Sequence, residues 1–455
     1  MSAAIRTRLA KGLGGEVYAR LVTVLVQLAG VPIFLHAWGA PLYGEWLILA
    51  AIPWYLTMSD AGFARAGTNE MTMLVARNER ATALAVFQST WLLVTAVSLL
   101  VGSAVVIALW WLPVGDWLGL TRLDGRAIAT ILALLVTHIL VSLQTSVLNA
   151  GFTAEGAYGL GTVIANTSRL FEFCLLAATV LAGGGPMLAA AALVVGRTLG
   201  NVVMRVILRR RVPWLRYGVA HADRATVRRL ARPALAFLGY PLGDALGIQG
   251  FVLAIGAVLG PSAVVVFATL RTMTRLVPVA VTAISYAVAP EFARAFGAGD
   301  RALLRRLHRR AVQVTFWTAG PLLLALLALG APLLATWTGG KVIMQGDLFL
   351  VLLAVAGGSL LWRTSLMVLY ATNRHERSAL TYLAANAAAV IAAALLAERT
   401  GLAGAAAALL IPEIAMTAVV VRAALALAGD RLSALAATTI RPPFFLLGRV
   451  GARGR

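Results

Sequence analysis

Nine charged side chains lie inside long apolar stretches of this sequence, where burying a charge is costly. Five are arginines and four are carboxylates: Arg169, Arg197, Arg271, Arg275, Arg363, Asp60, Glu172, Asp244 and Glu413. An arginine at the centre of a membrane span costs roughly 2.5–3.5 kcal/mol, so five require on the order of 12–18 kcal/mol unless they meet partners or water. We therefore expect these side chains to face away from lipid.

Arg271 and Arg275 are the first candidates for binding an anion. They are one helical turn apart, so both guanidinium groups project from one face of a helix. Two forked donors suit a ligand such as a pyrophosphate, which accepts bidentate hydrogen bonds on several oxygens. The alternative is that these arginines pair with Asp244 or Glu413 and hold helices together.

Three other arginines are further predicted substrate-binding residues. Arg197 and Arg363 lie at membrane depth, although the sequence constrains their roles less. Arg20 lies within about 8 Å of the predicted end of its helix, at about 1.5 Å per residue. Its long side chain could therefore also snorkel to the interface.

Three carboxylates are candidates for coupling or gating, namely Asp60, Asp244 and Glu413. A carboxylate in a dry site can exchange a proton or bind a cation while helices move. Serving as counter-ions for the arginines is the alternative for the same residues.

A second group of polar residues is predicted to be structural. Arg169 and Glu172 are three residues apart on one predicted helix, so each can satisfy the other. His138 is interpreted as a hydrogen-bonded core residue in preference to a proton relay.

The sequence lacks the motifs of enzymes and metalloproteins. Gly339-Gly340-Lys341 stands alone, without the remainder of a nucleotide-binding phosphate loop. No metal-ligand spacing or nucleophile elbow occurs, and the lone Cys174 excludes an intramolecular disulfide. We therefore predict a protein that is not an enzyme and that has no cofactor and no metal.

The elements that carry these residues are predicted to be membrane-spanning helices. Hydrophobic residues make up 60% of the 455 positions and charged residues 13%, and apolar runs of about 20 residues recur throughout. The fold class is therefore all-α and polytopic, with about twelve transmembrane helices. The predicted spans are 15–37, 44–66, 85–112, 127–150, 158–182, 187–208, 235–259, 263–288, 311–336, 347–370, 379–398 and 402–428.

The net charge of +21 has a topological explanation. Lys and Arg number 27 in the segments on the side of the termini and four on the opposite side. By the positive-inside bias, both termini and the basic loops are predicted to be cytoplasmic, facing anionic membrane lipids. Nucleic-acid binding is not expected.

The chain is predicted to divide into two six-helix bundles. These cover 1–208 and 235–428, with a basic cytoplasmic linker at 209–234 and a basic cytoplasmic tail at 429–455. Shifting the sequence by 221 residues places Gly39 on Gly260 and Arg80 on Arg301. A parallel repeat of this kind implies bundles related by a pseudo-twofold axis along the membrane normal.

The stretch 39–71 contains Gly39, then Tyr43-Gly44-Glu45-Trp46, then Asp60-Ala61-Gly62-Phe63. This pattern resembles the opening signature of the polysaccharide flippase branch of the multidrug/oligosaccharidyl-lipid/polysaccharide (MOP) exporter superfamily. The resemblance implies an inner-membrane flippase for undecaprenyl-diphosphate-linked oligosaccharide that works by alternating access. A polysaccharide polymerase and glycosyltransferases would be its partners in making cell-surface polysaccharide such as O-antigen.

Two alternatives remain open from the sequence. One is a drug or small-solute exporter of the same superfamily, although the arginines at membrane depth suit cationic substrates poorly. The other is a membrane glycan polymerase or ligase. Such an enzyme would need an outer catalytic region, and the longest predicted outer connection is only 113–126.

Overall fold

The computed structural model describes residues 3–58, 62–112, 114–117, 119–236, 239–372 and 374–443. Within these ranges the chain is helical, without a β-strand. Among the described residues, eleven helical segments are long and apolar enough to cross a membrane, and one of them, Val17–Thr57, is interrupted at Gly39. The prediction of an all-α membrane protein with about twelve spanning helices is confirmed.

The described chain forms two compact units, of which the first comprises Met1–Ala245 and Gly260–Ser262. Its helices are α1 (Ala3–Trp54), α2 (Phe63–Ala76), α3 (Arg80–Trp111), α4 (Val114–Trp117), α5 (Gly125–Ala154), α6 (Tyr158–Leu181), α7 (Pro186–Arg211), α8 (Arg224–Ala236) and α9 (Gly239–Ala245). The core includes large apolar side chains that are fully buried between α2, α3 and α5, among them Phe87 and Phe152.

The second unit comprises Leu246–Leu259 and Ala263–Arg455. Its helices are α10 (Phe251–Leu259), α11 (Pro261–Thr274), α12 (Leu276–Gly297), α13 (Arg301–Thr338), α14 (Gly346–Ala371), α15 (Glu376–Ala407), α16 (Leu410–Met416), α17 (Arg422–Ala428) and α18 (Leu432–Ile440). The first two residues of α11, Pro261 and Ser262, belong to the first unit. Two wider π-helical turns, Leu246–Gly250 and Thr417–Val421, precede α10 and α17.

Glycines with positive φ separate several of the predicted spans. Gly39 has φ 72° and divides α1 into two helices, and Gly401 has φ 68° and divides α15 in the same way. Glycine adopts this backbone conformation without the steric penalty of a Cβ atom. The predicted boundaries near 38–43 and 399–401 therefore coincide with real breaks.

Some predicted boundaries are wrong by more than a few residues. The second span was expected to reach 66, but its helix passes into a 3-10 turn that ends at Met58, and a separate α2 follows from Phe63. The span expected at 263–288 is divided into α11 and α12 at Arg275. There the amide of Arg275 still donates to the Arg271 carbonyl at 3.0 Å, so helical register is kept.

Two pairs of positions matched by the 221-residue shift have the same local structure. Gly39 and Gly260 both have positive φ at a junction between helices. Arg80 and Arg301 both begin a long helix, after Glu79 and Asp300 at the N-cap positions. The weak internal repeat in the sequence is thus a repeat of helix boundaries.

The segment predicted as a basic linker is partly helical. The chain leaves α7 at Arg211 and forms α8, which packs on α2 and α3 of the first unit. Arg229 of α8 donates to Glu70 of α2 at 2.6 Å.

Candidate functional site

Arg271 is held by backbone and aromatic groups of the second unit. Its Nη2 donates to the Gly247 carbonyl at 2.7 Å, and its guanidinium carbon lies 5.4 Å from the Phe267 ring and 5.9 Å from the Phe251 ring. Gly247 belongs to the π-helical turn before α10, and such turns disturb the regular hydrogen-bond ladder and expose carbonyls to other donors. The π-helical turn therefore supplies the carbonyl group that holds Arg271.

Trp362, Arg363 and Glu413 form the centre of the site. Trp362 of α14 is 2% exposed, and its indole Nε1 donates a hydrogen bond to Oε2 of Glu413 on α16. The guanidinium carbon of Arg363 lies 4.6 Å from the Trp362 ring, a cation–π arrangement. No described residue accepts a hydrogen bond from the buried Nε of Arg363.

Glu413 is in electrostatic range of both Arg363 and Arg271. We call the set of Arg271, Trp362, Arg363 and Glu413 the C-terminal charge cluster. It has two fixed positive charges and one carboxylate, so its net charge is positive when Glu413 is ionised. A buried N–H without an acceptor is costly, and an anionic group that reached it would satisfy it.

Close packing holds the cluster in place. A Cβ atom on Gly247 would lie 2.4 Å from Oδ1 of Asn386, and one on Gly358 would lie 3.3 Å from Cβ of Glu413. The Tyr382 ring stands 5.8 Å from that of Trp362. Small residues let the helices approach closely, as is usual where membrane helices pack.

A second charged group, the N-terminal charge cluster, lies within the first unit. It consists of His138, Arg169, Glu172 and Arg197. Oε1 of Glu172 lies 2.8 Å from Nε2 of His138, and its Oε2 lies 2.7 Å from Nε of Arg197. Arg169 donates to Oγ1 of Thr23 at 3.1 Å.

The sequence predicted that Arg169 pairs with Glu172. In the structure, Glu172 forms its ion pair with Arg197 instead. Glycines on α7 explain the difference, because a Cβ atom on Gly196 would lie 2.9 Å from Cα of Glu172. This approach brings the neighbouring Arg197 to the carboxylate. His138 is a hydrogen-bonded residue of the bundle, as interpreted from the sequence, and its partner is Glu172.

The other predicted site residues lie elsewhere or are not described. Arg20 is half-buried on α1 and makes no hydrogen bond or ion pair with a described residue. Arg275 is half-buried where α11 meets α12, and Asp244 is exposed on α9 at the end of the first unit. Asp60 lies outside the described residues. Of the predicted substrate-binding residues, Arg363 lies against Trp362, and both Arg363 and Arg271 are within electrostatic range of Glu413 in the second unit.

The residues of the Tyr-Gly-x-Trp motif pack tightly in the first unit. A Cβ atom on Gly44 would lie 2.1 Å from the Pro261 carbonyl oxygen. Tyr43 and Trp46 are buried. Glu45 accepts hydrogen bonds from the amides of Thr121 and Arg122 at 2.8 and 2.7 Å. Sequence reasoning had missed this structural role of Glu45, for which an acidic residue within an apolar stretch was the available signal.

Trp362 is the other residue that the sequence interpretation missed. A tryptophan near the middle of a predicted span, directly before an arginine, was the signal for it. Within the described ranges, no group of three or more His, Cys, Asp or Glu side chains is arranged to hold a metal ion.

Comparison with known proteins gives structural likeness without sequence matches. No protein-family model matches the sequence, and no curated protein matches it significantly. A multidrug resistance MATE family transporter of the MOP superfamily, solved in an inward-facing conformation, has a TM-score of 0.72 at 14% identity, covering 95% of this chain and 99% of that one. The lipid II flippase MurJ, in an inward closed conformation, has a TM-score of 0.68 at 11% identity, covering 94% and 90%.

The chain has the fold of MOP-superfamily transporters. A third structure with the MOP fold is a transporter from Pyrococcus furiosus, described as having a binding pocket of reverse polarity that suggests a different function. Its TM-score is 0.56 at 15% identity, and the match covers 94% of each chain. At these identities the likeness establishes the MOP fold alone.

Proposed function

We propose that this protein is a flippase that moves an undecaprenyl-diphosphate-linked oligosaccharide across the bacterial inner membrane, with both termini in the cytoplasm. The observation that carries the proposal is the C-terminal charge cluster. Its two arginines outnumber its one carboxylate, and the buried Nε of Arg363 has no acceptor among the described residues. A diphosphate presents several anionic oxygens and fits this arrangement of donors.

The fold and the motif support the same proposal. The MOP fold is shared with a protein named as a lipid II flippase. The residues Tyr43-Gly44-Glu45-Trp46 resemble the signature of the polysaccharide branch. In this mechanism the arginines hold the diphosphate while the lipid tail stays in the bilayer, and the bundles alternate between inward and outward access.

Glu413 has a defined role in the proposed cycle. Its carboxylate partly neutralises Arg363 and Arg271 and accepts the Trp362 hydrogen bond. An incoming diphosphate competes with Glu413 for the same arginines. Release of the substrate then restores the carboxylate as their counter-ion, so the site need not keep unpaired charges.

The experiment is complementation of a deletion strain with the wild type, Arg363→Gln, or the control Arg399→Gln. Arg399→Gln removes the same charge as Arg363→Gln, but from an exposed position outside the cluster. A glycosidase restricted to one leaflet, followed by mass spectrometry, locates the finished lipid-linked oligosaccharide. We expect complete units to accumulate on the cytoplasmic leaflet with Arg363→Gln and with the empty vector, but not with Arg399→Gln.

Each competing function predicts a different pattern. Single units that accumulate on the outer leaflet would refute flipping and favour a glycan polymerase or ligase. A drug exporter of the same superfamily is the second candidate, because a multidrug resistance transporter shares the fold. Efflux of cationic dyes that depends on this gene, with normal distribution of the oligosaccharide, would establish that function instead.

A further inference from the structure

A cationic cavity of about 620 Å³ lies within the second unit, apart from the C-terminal charge cluster. Its volume is in the range of sites that hold small ligands. It is lined by Arg374, which precedes α15, by Arg377 in the first turn of α15 and by Arg422 at the start of α17. Leu369, Ala418 and Val419 form an apolar wall. We call it the arginine cavity.

The positive charge of the arginine cavity is not neutralised within the described protein. The guanidinium groups of Arg377 and Arg422 make no hydrogen bond or ion pair with a described residue, and that of Arg374 only faces the Phe296 ring at 5.9 Å. Glu376 also lines the cavity but forms no ion pair with these arginines. Three arginines and one glutamate leave a net charge of +2 around the cavity.

The backbone adds to the preference for an anion. The first turn of α15 lies at the cavity, so the positive end of the dipole of a long helix faces it. The π-helical turn Thr417–Val421 places Ala418 and Val419 in the wall and is followed directly by Arg422. A π-turn within a membrane helix frequently marks a functional site.

The apolar wall distinguishes a lipid from a soluble anion. Leu369 is near the end of α14, and Ala418 and Val419 belong to the apolar span Leu410–Ala428. Arg374 and Arg377 flank the start of the apolar span Glu376–Ala407, at the depth of lipid headgroups. Arg422 lines the same cavity from six residues before the end of Leu410–Ala428, and its long side chain can extend along the apolar surface. A soluble phosphate would use the arginines but not this wall, whereas a phospholipid uses both.

We propose that the arginine cavity binds the phosphodiester of an anionic glycerophospholipid, whose acyl chains run along the apolar wall. The site is independent of the proposed transport reaction. Basic loops are attracted to anionic membranes in general, whereas the arginine cavity binds one lipid molecule at a defined position.

Native mass spectrometry of the full-length protein in a neutral detergent tests this. Phosphatidylglycerol is titrated against the wild type and the triple variant Arg374→Gln/Arg377→Gln/Arg422→Gln, with phosphatidylcholine as the zwitterionic comparison. We expect binding of phosphatidylglycerol to weaken on the order of a hundredfold, since each basic residue near anionic lipid contributes roughly a fivefold factor. The single variant Arg377→Gln should lose about fivefold and serves if the triple variant folds poorly.

The matched control is Arg209→Gln/Arg210→Gln/Arg211→Gln, which removes the same charge from exposed positions at the end of α7 in the other unit. It should retain wild-type affinity for phosphatidylglycerol. Equal weakening by both triple variants would overturn the proposal, because the effect would then be one of overall charge. Displacement of the lipid by millimolar inorganic phosphate would also overturn it, by identifying a site for soluble anions.

Discussion

Replacing Arg197 by glutamine is expected to destabilise the first unit through its ion pair with Glu172. The two side chains are 15% and 8% exposed, and the atoms Nε and Oε2 are 2.7 Å apart. Removing one partner of a buried pair typically costs about 3–5 kcal/mol, because the other charge remains buried and uncompensated. His138 stays in contact with Glu172 and keeps one of its oxygens hydrogen-bonded. We therefore expect the lower end of the range, about 3 kcal/mol.

Arg169→Gln is the matched control for this prediction. Arg169 is on the same helix as Glu172, but its described hydrogen bond is to Thr23. Arg169 is also repelled by Arg197 more strongly than it is attracted to Glu172. Loss of one hydrogen bond is thus partly offset by relief of repulsion, and the expected cost is about 1 kcal/mol or less.

Thermal unfolding in detergent, followed by tryptophan fluorescence, measures both effects. For a unit of this size, 1 kcal/mol corresponds to about 2–4 °C, so Arg197→Gln should lower Tm by about 6–12 °C. The double variant Arg197→Gln/Glu172→Gln should be less destabilised than the sum of the single variants, with a coupling of at least about 1 kcal/mol. Equal losses for Arg197→Gln and Arg169→Gln, or strict additivity in the double variant, would refute the reasoning.

Two further substitutions test the packing of the motif and the centre of the site. Gly44→Ala should lower the free energy of unfolding by about 1–3 kcal/mol, because its Cβ atom would lie 2.1 Å from the Pro261 carbonyl oxygen. The control Gly320→Ala, with open space around it, should be neutral or slightly stabilising. Equal Tm values for the two variants would contradict this prediction. Trp362→Phe keeps a ring but removes the donor to Glu413, so we expect a loss of about 1–3 kcal/mol in thermal unfolding and slower oligosaccharide flipping. Wild-type values in both assays would show that the hydrogen bond does not support the site.

The class of fold could be predicted because its signals are local. Each span is an apolar run of about 20 residues, and breaks fall at glycines such as Gly39 and Gly401 that adopt positive φ. The end of the second span was less predictable. Residues 59–66 mix Asp60 and Arg65 with Phe63 and three alanines, so composition alone did not separate this helix from α2.

The candidate site was predicted only in part. Depth and charge identified Arg271, Arg363 and Glu413 individually. Their grouping depends on α11, α14 and α16 of the second unit, and the hydrogen bond from Trp362 depends on how α14 packs against α16. Spacing along one helix cannot specify a contact between helices, because that contact is set by the crossing of the two axes.

The sequence and the tertiary structure each determined a different property of this protein. The sequence by itself determined that the chain is a polytopic helical membrane protein with costly charges at membrane depth, because hydropathy and charge are properties of individual residues and their near neighbours. Only the tertiary structure decided which charges meet. Glu172 pairs with Arg197, 25 positions away, and not with Arg169 three positions away, because glycines on α7 bring its backbone close enough for that contact.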